Sequence, residues 1–525
     1  MTFPRSCGLL LHLTSLPGPF GLGDLGAEAH AFLDYLVEAG QSWWQFLPLG
    51  PVGESYSPYQ SSSSFAGNPL LVSPAGLVEA GWLPRSALRR GPRLDGSPDS
   101  IGPAVAARLG WLRQAAAGFD RNDPDFRRFR NAESFWLADY ALFEAIRTQQ
   151  NQEPWWRWPE GLRRRDPRAI RQARRALGPE IAFHEFAQYA FERQWSQLRA
   201  AAAARRIQFI GDVPIFVSLD SADVWARPEL FALDAHGHPT GVAGVPPDYF
   251  SADGQLWGNP LYHWPAHRAE GYAWWIARLR QTLRRVDRIR LDHFRGFEAY
   301  WEVPADAPTA ASGRWRPGPG APFFRALRSA LGGLPLIAED LGEITPAVLR
   351  LRDRFGLPGM KVLQFAFGSG PSNPHLPHNY PANCVVYTGT HDNDTSLGWF
   401  QSLTAKDPRP TPDPSSEPGY LLRYLNSDGA EIHWDLIRAA YASVACLAIV
   451  PLQDVLGLGS EARMNIPGTP TGNWLWRCQP QHLADPAPRA RLRMLAETYG
   501  RLRAEQPPRA VPESPSRTGL RRQAS

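Results

Sequence analysis

The chain has 525 residues, 43% hydrophobic and 20% charged, enough apolar material for a large folded core and far from the composition of a disordered protein. Its net charge of +5 and pI near 9.1 come from arginines scattered through helical segments such as residues 162–175 and balanced elsewhere by acids, which excludes a nucleic-acid surface as the reading of the charge. The four cysteines, Cys7, Cys384, Cys446 and Cys478, lack the close spacings of zinc or redox motifs and are expected to be reduced and buried, with no metal and no cofactor.

The opening MTFPRSCGLL passes straight into a strand-like run without the parts of a secretory leader, and no apolar stretch reaches the roughly 18 residues that span a bilayer. The expectation is a cytoplasmic protein, monomeric or weakly homo-oligomeric, that engages neither membrane nor nucleic acid. In chain order, short apolar runs at residues 8–13, 43–49, 207–212, 286–292, 336–338, 360–367, 385–388 and 446–451 alternate with helical patterns. Strands alternating with helices imply parallel pairing through right-handed crossovers, and eight of them close a (β/α)8 TIM barrel, an α/β fold.

A plain barrel needs about 250 residues, so the remainder is expected in large, mainly helical insertions. Residues 1–69 hold the first two strands. Residues 70–204 form a helical insertion, with helical patterns at 135–146 and 183–203 and a mobile connector near 84–103 rich in Pro, Gly and Arg. Residues 205–504 carry the other six strands with smaller insertions after the third, fourth and seventh, including a surface loop at 405–418. Residues 505–525 read as a disordered basic tail.

Several runs end in acids: FIGD, IRLDH, IAED and YTGTHDND put carboxylates at the carboxyl ends of strands, the face where barrel enzymes keep their chemistry. Breaking a glycosidic bond calls for two carboxyl groups, one donating a proton to the leaving oxygen and one attacking the anomeric carbon or activating water. Twenty tryptophans, many beside Gly and Pro, offer flat faces on which sugar rings stack. Arg290 and Asp292 are two apart on an extended strand and share a face, so the guanidinium favours the ionised carboxylate that a nucleophile requires. Glu339 and Asp340 are adjacent and cannot both point inward; Asp392 and Asp394 share parity, with His391 beside them, and spacing leaves both choices open. A carboxyl group close to Asp292 is expected to be raised by like charge, as suits a general acid. Asp340 and Asp394 are equally placed to cap the next helix, and Asp212 to fix a turn before Val-Pro.

These strings and their order resemble the amylomaltase, or disproportionating-enzyme, family, the 4-α-glucanotransferases related to the α-amylase barrel enzymes. The likeness runs from LLHLTSLPGPFGLGDLG through SPYQSSSSFAGNP, GDVPIFV, GVPPDYFSADGQLWGNPLY, RLDHFRGFEAYW, IAEDLG, KVLQFAF and GTHDNDT to MNIPGTPTGNWLWR. The resemblance implies Asp292 as nucleophile, Glu339 as general acid/base and Asp392 as transition-state stabiliser. It also implies sugar contacts for Tyr59, Arg290, His293, His391, Trp257 and Asn465. An acceptor-side lid near 244–258 is implied as well, with Tyr249 and Phe250 at its tip and Asp248 beside them. Substrates would be α-1,4-glucans and maltooligosaccharides, with glucose as an acceptor. An α-glucan hydrolase with the same acids, or a catalytically silent glucan-binding protein on the same scaffold, are the rival readings.

Overall fold

The computed structural model describes residues 4–53, 55–89, 101–247, 253–405 and 413–503. Among them are twelve strands: β1 (Ser6–Leu10), β2 (Trp43–Gln45), β3 (Gln208–Val213), β4 (Gly241–Val245), β5 (Gln255–Pro260), β6 (Arg288–Leu291), β7 (Ala299–Pro304), β8 (Arg314–Pro317), β9 (Leu336–Ala338), β10 (Gly359–Val362), β11 (Cys384–Tyr387) and β12 (Leu447–Pro451). Eight of these form one parallel sheet in the order β10-β11-β12-β1-β2-β3-β6-β9. Its two edges meet where the Ala338 N–H donates to the Pro358 carbonyl at 2.9 Å, leaving a nearly closed (β/α)8 barrel. Every one of the eight apolar runs is a barrel strand. The sixth is shorter than expected, because the chain turns at Leu363 into a 3-10 helix (Leu363–Phe365).

Side-chain alternation explains why these runs read as continuously apolar. Leu10, Trp43, Ile210, Ile337, Met360, Val385 and Ile449 fill the barrel interior, while Leu9, Trp44, Phe209, Ala338, Val386 and Val450 face the surrounding helices. The neighbours Trp43 and Trp44 are therefore both buried, one on each side of the sheet, each contributing about 2–3 kcal/mol of apolar burial. Glycine at position 8 is dictated by close approach: a Cβ there would lie 2.4 Å from the Trp43 carbonyl oxygen. At the opposite end of the chain, the buried Arg501 guanidinium donates to the carbonyls of Ser6, Ala440, Tyr441 and Ser443, fastening the last helix to the foot of the barrel.

Between β2 and β3 an irregular stretch at 46–53 and 55–68 is followed by described residues that are mainly helical, the main elements being Ile101–Gly118, Leu137–Gln149 and Gly178–Ala204. The last of these runs directly into β3 and so serves as the crossover as well. Arg108 of the first pairs with Asp24 at 3.0 Å, both buried, tying the insertion to the loop after β1. Within the expected connector at 84–103, Arg85–Arg89 and the start of Ile101–Gly118 are helical, and 90–100 lie outside the described residues, as do 406–412 of the expected surface loop and the tail at 505–525.

The smaller insertions expected after the third and fourth barrel strands, β3 and β6, carry strands of their own. They assemble a four-stranded antiparallel sheet, β5-β4-β7-β8, in which Gly244 pairs with Trp301 and Trp301 with Trp315. GVAGV and QLWGNP carry Gly and Pro that mask the strand pattern, and their partners come from a different insertion, so no contiguous hairpin signal covers the whole sheet. No helix among the described residues is long and apolar enough to cross a membrane. All four cysteines are free thiols; Cys446 is only half-buried, unlike the other three, and its thiol donates to the Cys384 carbonyl at 3.1 Å.

Candidate active site

Parallel register sets the first pair. Asp212 on β3 stands opposite Arg290 on β6, and the buried guanidinium reaches Asp212 Oδ2 at 2.6 Å and Asp292 Oδ1 at 2.8 Å. Although burial opposes its charge, Asp212 and then Asp292 hold Arg290 protonated. Asp292 follows the last residue of β6, where its N–H donates to the Val213 carbonyl, and its side chain is one-quarter exposed toward the barrel mouth.

His293 takes the left-handed conformation, φ 48°, a strain of order 1 kcal/mol for a residue with a Cβ. The turn aims its backbone N–H at Glu339 Oε2, 2.6 Å away, while Leu341 N–H donates to Oε1 at 2.8 Å. Glu339 thus faces Asp292 and Arg290 just past β9. Burial pushes its carboxyl up to about 8; Arg290 opposes this, Asp292 adds to it, and the two N–H donors oppose it. The expected direction holds, but its main cause is desolvation rather than the like charge of Asp292. The adjacent Asp340 accepts instead from Met360 N–H at 2.7 Å and from Arg352, joining β9 to β10.

Past β11, the Asn465 amide donates to Asp392 Oδ1 at 2.7 Å, and Arg463 donates to the Asp392 carbonyl at 2.8 Å. Asp394 accepts from Ser460 Oγ at 2.7 Å. Neither Asp340 nor Asp394 is the N-cap of the next helix; those positions belong to Thr345 and Thr395. The Tyr59 hydroxyl links the two halves of the site, donating to Asp212 Oδ2 at 2.9 Å and lying 2.8 Å from His391 Nε2. Its single proton engaged, it accepts from the Nε2–H tautomer of His391, whose Nε2 is also 3.4 Å from Asp392 Oδ2. The Tyr59 ring stacks on the His391 imidazole at 5.2 Å, with Trp474 against both.

A continuous chain of contacts therefore runs from Asp292 through Arg290, Asp212, Tyr59 and His391 to Asp392 and Asn465, with Glu339 against its first members. His293, pushed down to about 4 by burial, is a neutral imidazole whose buried Nε2 has no partner among the described residues. Trp257 packs edge-on to it at 4.9 Å. Asp248, Tyr249 and Phe250 lie outside the described residues; β4 ends and β5 begins on either side of them. Three contributors went unassigned in sequence. Asp212 bridges Arg290 and Tyr59, and its parity with Arg290 on adjacent strands was the available signal. Trp474 and Arg463 sit in segments of irregular structure, where no periodicity marks which side chains turn inward.

A guanidinium-bound carboxylate and a buried carboxyl group at the carboxyl ends of neighbouring strands in a (β/α)8 barrel are the kind of paired acids that cleavage of a glycosidic bond calls for, on the face where barrel enzymes keep their chemistry. Residues 11–483 match the model of glycoside hydrolase family 77, described as 4-alpha-glucanotransferase, and the chain belongs to that family. It is 52% identical over 520 residues to the 4-alpha-glucanotransferase of Thermus thermophilus, covering 96% of this chain and 100% of that one. With the 4-alpha-glucanotransferase of Synechocystis the identity is 50% over 506 residues, with 95% and 98% covered. The amylomaltase of Streptococcus agalactiae, solved in complex with acarbose, superposes with a TM-score of 0.89 at 37% identity, covering 95% of this chain and 100% of that one. The chain is accordingly an enzyme of the glycosyltransferase type with 4-α-glucanotransferase activity.

Proposed function

We propose that Asp292, Glu339 and Asp392 carry out this transfer by double displacement on an α-1,4-glucan. Asp292 attacks the anomeric carbon while Glu339 protonates the departing O4, so the C1–O4 bond breaks as a C1–Oδ bond forms and the donor chain becomes a covalent β-glucosyl ester. Glu339, now ionised, takes the proton of an acceptor 4-hydroxyl, which displaces Asp292 and rebuilds the α-1,4 bond. Asp392 stabilises the positive ring between the two steps, with His391, His293, Tyr59, Arg290 and Asn465 orienting hydroxyls and carboxylates. The observation that carries this reading is geometric: Glu339, buried and held by the His293 and Leu341 N–H groups, stands just past the strand paired with the one that Asp292 follows. The Asp292 carboxylate is bound to Arg290, and burial raises the Glu339 carboxyl as an acid catalyst requires.

Transfer in place of hydrolysis requires that acceptor sugar outcompete water. Trp257, partly buried against His293, supports an acceptor side on which a sugar stacks; the resemblance assigns Asp248, Tyr249 and Phe250, outside the described residues, to an acceptor-side lid. Acceptors in this proposal are maltooligosaccharides and glucose. The chain divides into a barrel (1–69 and 205–504), a helical insertion (70–204) and a tail (505–525), working in the cytoplasm as a monomer or weak homo-oligomer; four free thiols suit a reducing compartment. With maltotriose alone, the expected products are glucose and a ladder of longer and shorter maltodextrins at nearly constant reducing-end content. A steady rise in reducing ends would instead establish a hydrolase.

A further inference from the structure

Beyond the acids that face the sugar, one buried carboxylate controls the loop that carries two site residues. Asp454, in the short helix Leu452–Val455 after β12, is 1% exposed. Its Oδ2 accepts from Thr388 Oγ1 at 2.5 Å and from Ser396 Oγ at 2.8 Å, and its Oδ1 accepts from Ser396 N–H at 2.7 Å. Thr388 is the residue after β11, and Ser396 opens the helix Ser396–Thr404. Residues 389–395 between them bear His391 and Asp392. A single carboxylate thus grips both feet of this loop.

The loop is also incompletely packed: a small cavity of ≈ 20 Å³, about the room of one water molecule, lies between Thr390, His391 and Thr395 of the loop and His12, Gln453 and Asp454 across from them. Hydrogen bonds at the two feet of the loop therefore share the positioning that close packing does elsewhere. The loop's other ties act mainly on its interior: Asn393 closes on Thr390, Arg463 holds the Asp392 carbonyl, Asn465 and Ser460 reach Asp392 and Asp394, and Gln364 donates through its N–H to the Thr388 carbonyl at 3.3 Å and through its amide to the Asp394 carbonyl at 2.8 Å. Among the described residues, Asp454 is the side chain that hydrogen-bonds both Thr388, at the end of β11, and Ser396, at the start of the helix that follows.

We infer that Asp454 is a positioning residue for transfer: by fixing Thr388 and Ser396 it sets where Asp392 and His391 stand against the glucose ring, without touching that ring. The inference rests on Asp392 being the transition-state stabiliser. Loosening the loop then weakens an interaction made chiefly with the distorted, charged ring, which lowers kcat more than it raises KM. Asparagine is a conservative replacement here, since its amide oxygen accepts from Ser396 N–H and its NH2 donates to the two hydroxyls.

The test compares Asp454→Ala, Asp454→Asn and Thr388→Val with the wild-type enzyme in maltotriose disproportionation, in inhibition by acarbose and in thermal unfolding. In Asp454→Ala, kcat is expected to fall about 30-fold or more with KM changed by less than about threefold. Acarbose, whose unsaturated ring and bridging amine mimic the flattened cationic ring, weakens in step with kcat. Asp454→Asn recovers to within about fivefold of wild type, and Thr388→Val, which loses one tie at constant volume, falls between about threefold and tenfold below it. Folded Asp454→Ala with wild-type kcat and acarbose affinity, or with its whole loss in KM, overturns the inference. If Asp454→Ala does not fold, an unchanged kcat in Thr388→Val overturns it. Asp392→Asn separates the two layers: silence there alongside unaffected Asp454 variants defeats the positioning role alone, and full activity there defeats the role of Asp392 and this inference together.

Discussion

Replacing Asp292 by Asn is expected to lower kcat on maltotriose by about four orders of magnitude or more. The substitution preserves shape and leaves Arg290 paired with Asp212, so the barrel is undisturbed; Asp292 is one-quarter exposed, and the thermal midpoint should move by no more than about 2 °C. Loss at this scale follows because no neighbour can substitute. Asp212 is buried and engaged by Arg290 and Tyr59, and Glu339 is committed to proton transfer. A secondary sign is also fixed. Asp292 helps raise Glu339, so the residual activity of the variant should lose its alkaline limb at lower pH than the wild type does. Steady-state kinetics with a pH series measures both, and an alkaline limb that moves upward contradicts the pairing.

Glu339→Gln is expected to abolish the transfer of ordinary glucans, with kcat down by about three orders of magnitude. A glucosyl fluoride donor, whose leaving group needs no proton, should restore the first half-reaction. In the wild type Glu339 must be protonated to act as the acid, so kcat/KM holds below about 8 and falls as pH rises through about 8. The same group makes a stability prediction of opposite character. Its folded carboxyl is raised from the ordinary 4.5 to about 8; between those values the folded state binds more protons than the unfolded one, and stability therefore declines as pH rises across that window. Glutamine carries no charge to bury, so the inactive variant should melt higher than the wild type, the gap opening from pH 5 to pH 8 and reaching a few degrees. Thermal scans at several pH values measure it, and a variant that melts lower at pH 8 than the wild type would show that the buried carboxylate is stabilised by its N–H donors after all.

Much of the barrel was legible because each strand is short, mostly apolar and separated from the next by helical pattern. Trp43 and Trp44 illustrate it, their opposite burial producing an unbroken run that period-two reasoning assigns to a buried parallel strand. The inserted sheet was hidden for the converse reason: β4 and β5 are interrupted by Gly and Pro, and the strand that extends their pair, β7, lies with β8 beyond a barrel strand. Within the candidate site, acids at strand ends marked segments that the fold brings together at the barrel mouth, but spacing could not separate Glu339 from Asp340 or Asp392 from Asp394. The resemblance chose between them, and what sequence does not encode locally is where the other two acids go: Asp340 bonds to Met360 and Arg352, and Asp394 bonds to Ser460. Asp212 stayed between a site role and a turn because its partners Arg290 and Tyr59 are distant in the chain, and Asp454 was passed over because an Asp in LQDV has no local feature announcing the loop whose feet it bonds.

The most direct measurement is to trap the covalent intermediate with a glucosyl fluoride donor deactivated by ring fluorination, then digest the protein and locate the sugar by mass spectrometry. Label on the carboxylate of Asp292, formed in Glu339→Gln as well as in the wild type, is the expected result. Sugar found on another carboxylate, or turnover of this donor with inversion and no adduct, contradicts a nucleophilic Asp292 and the double displacement built on it.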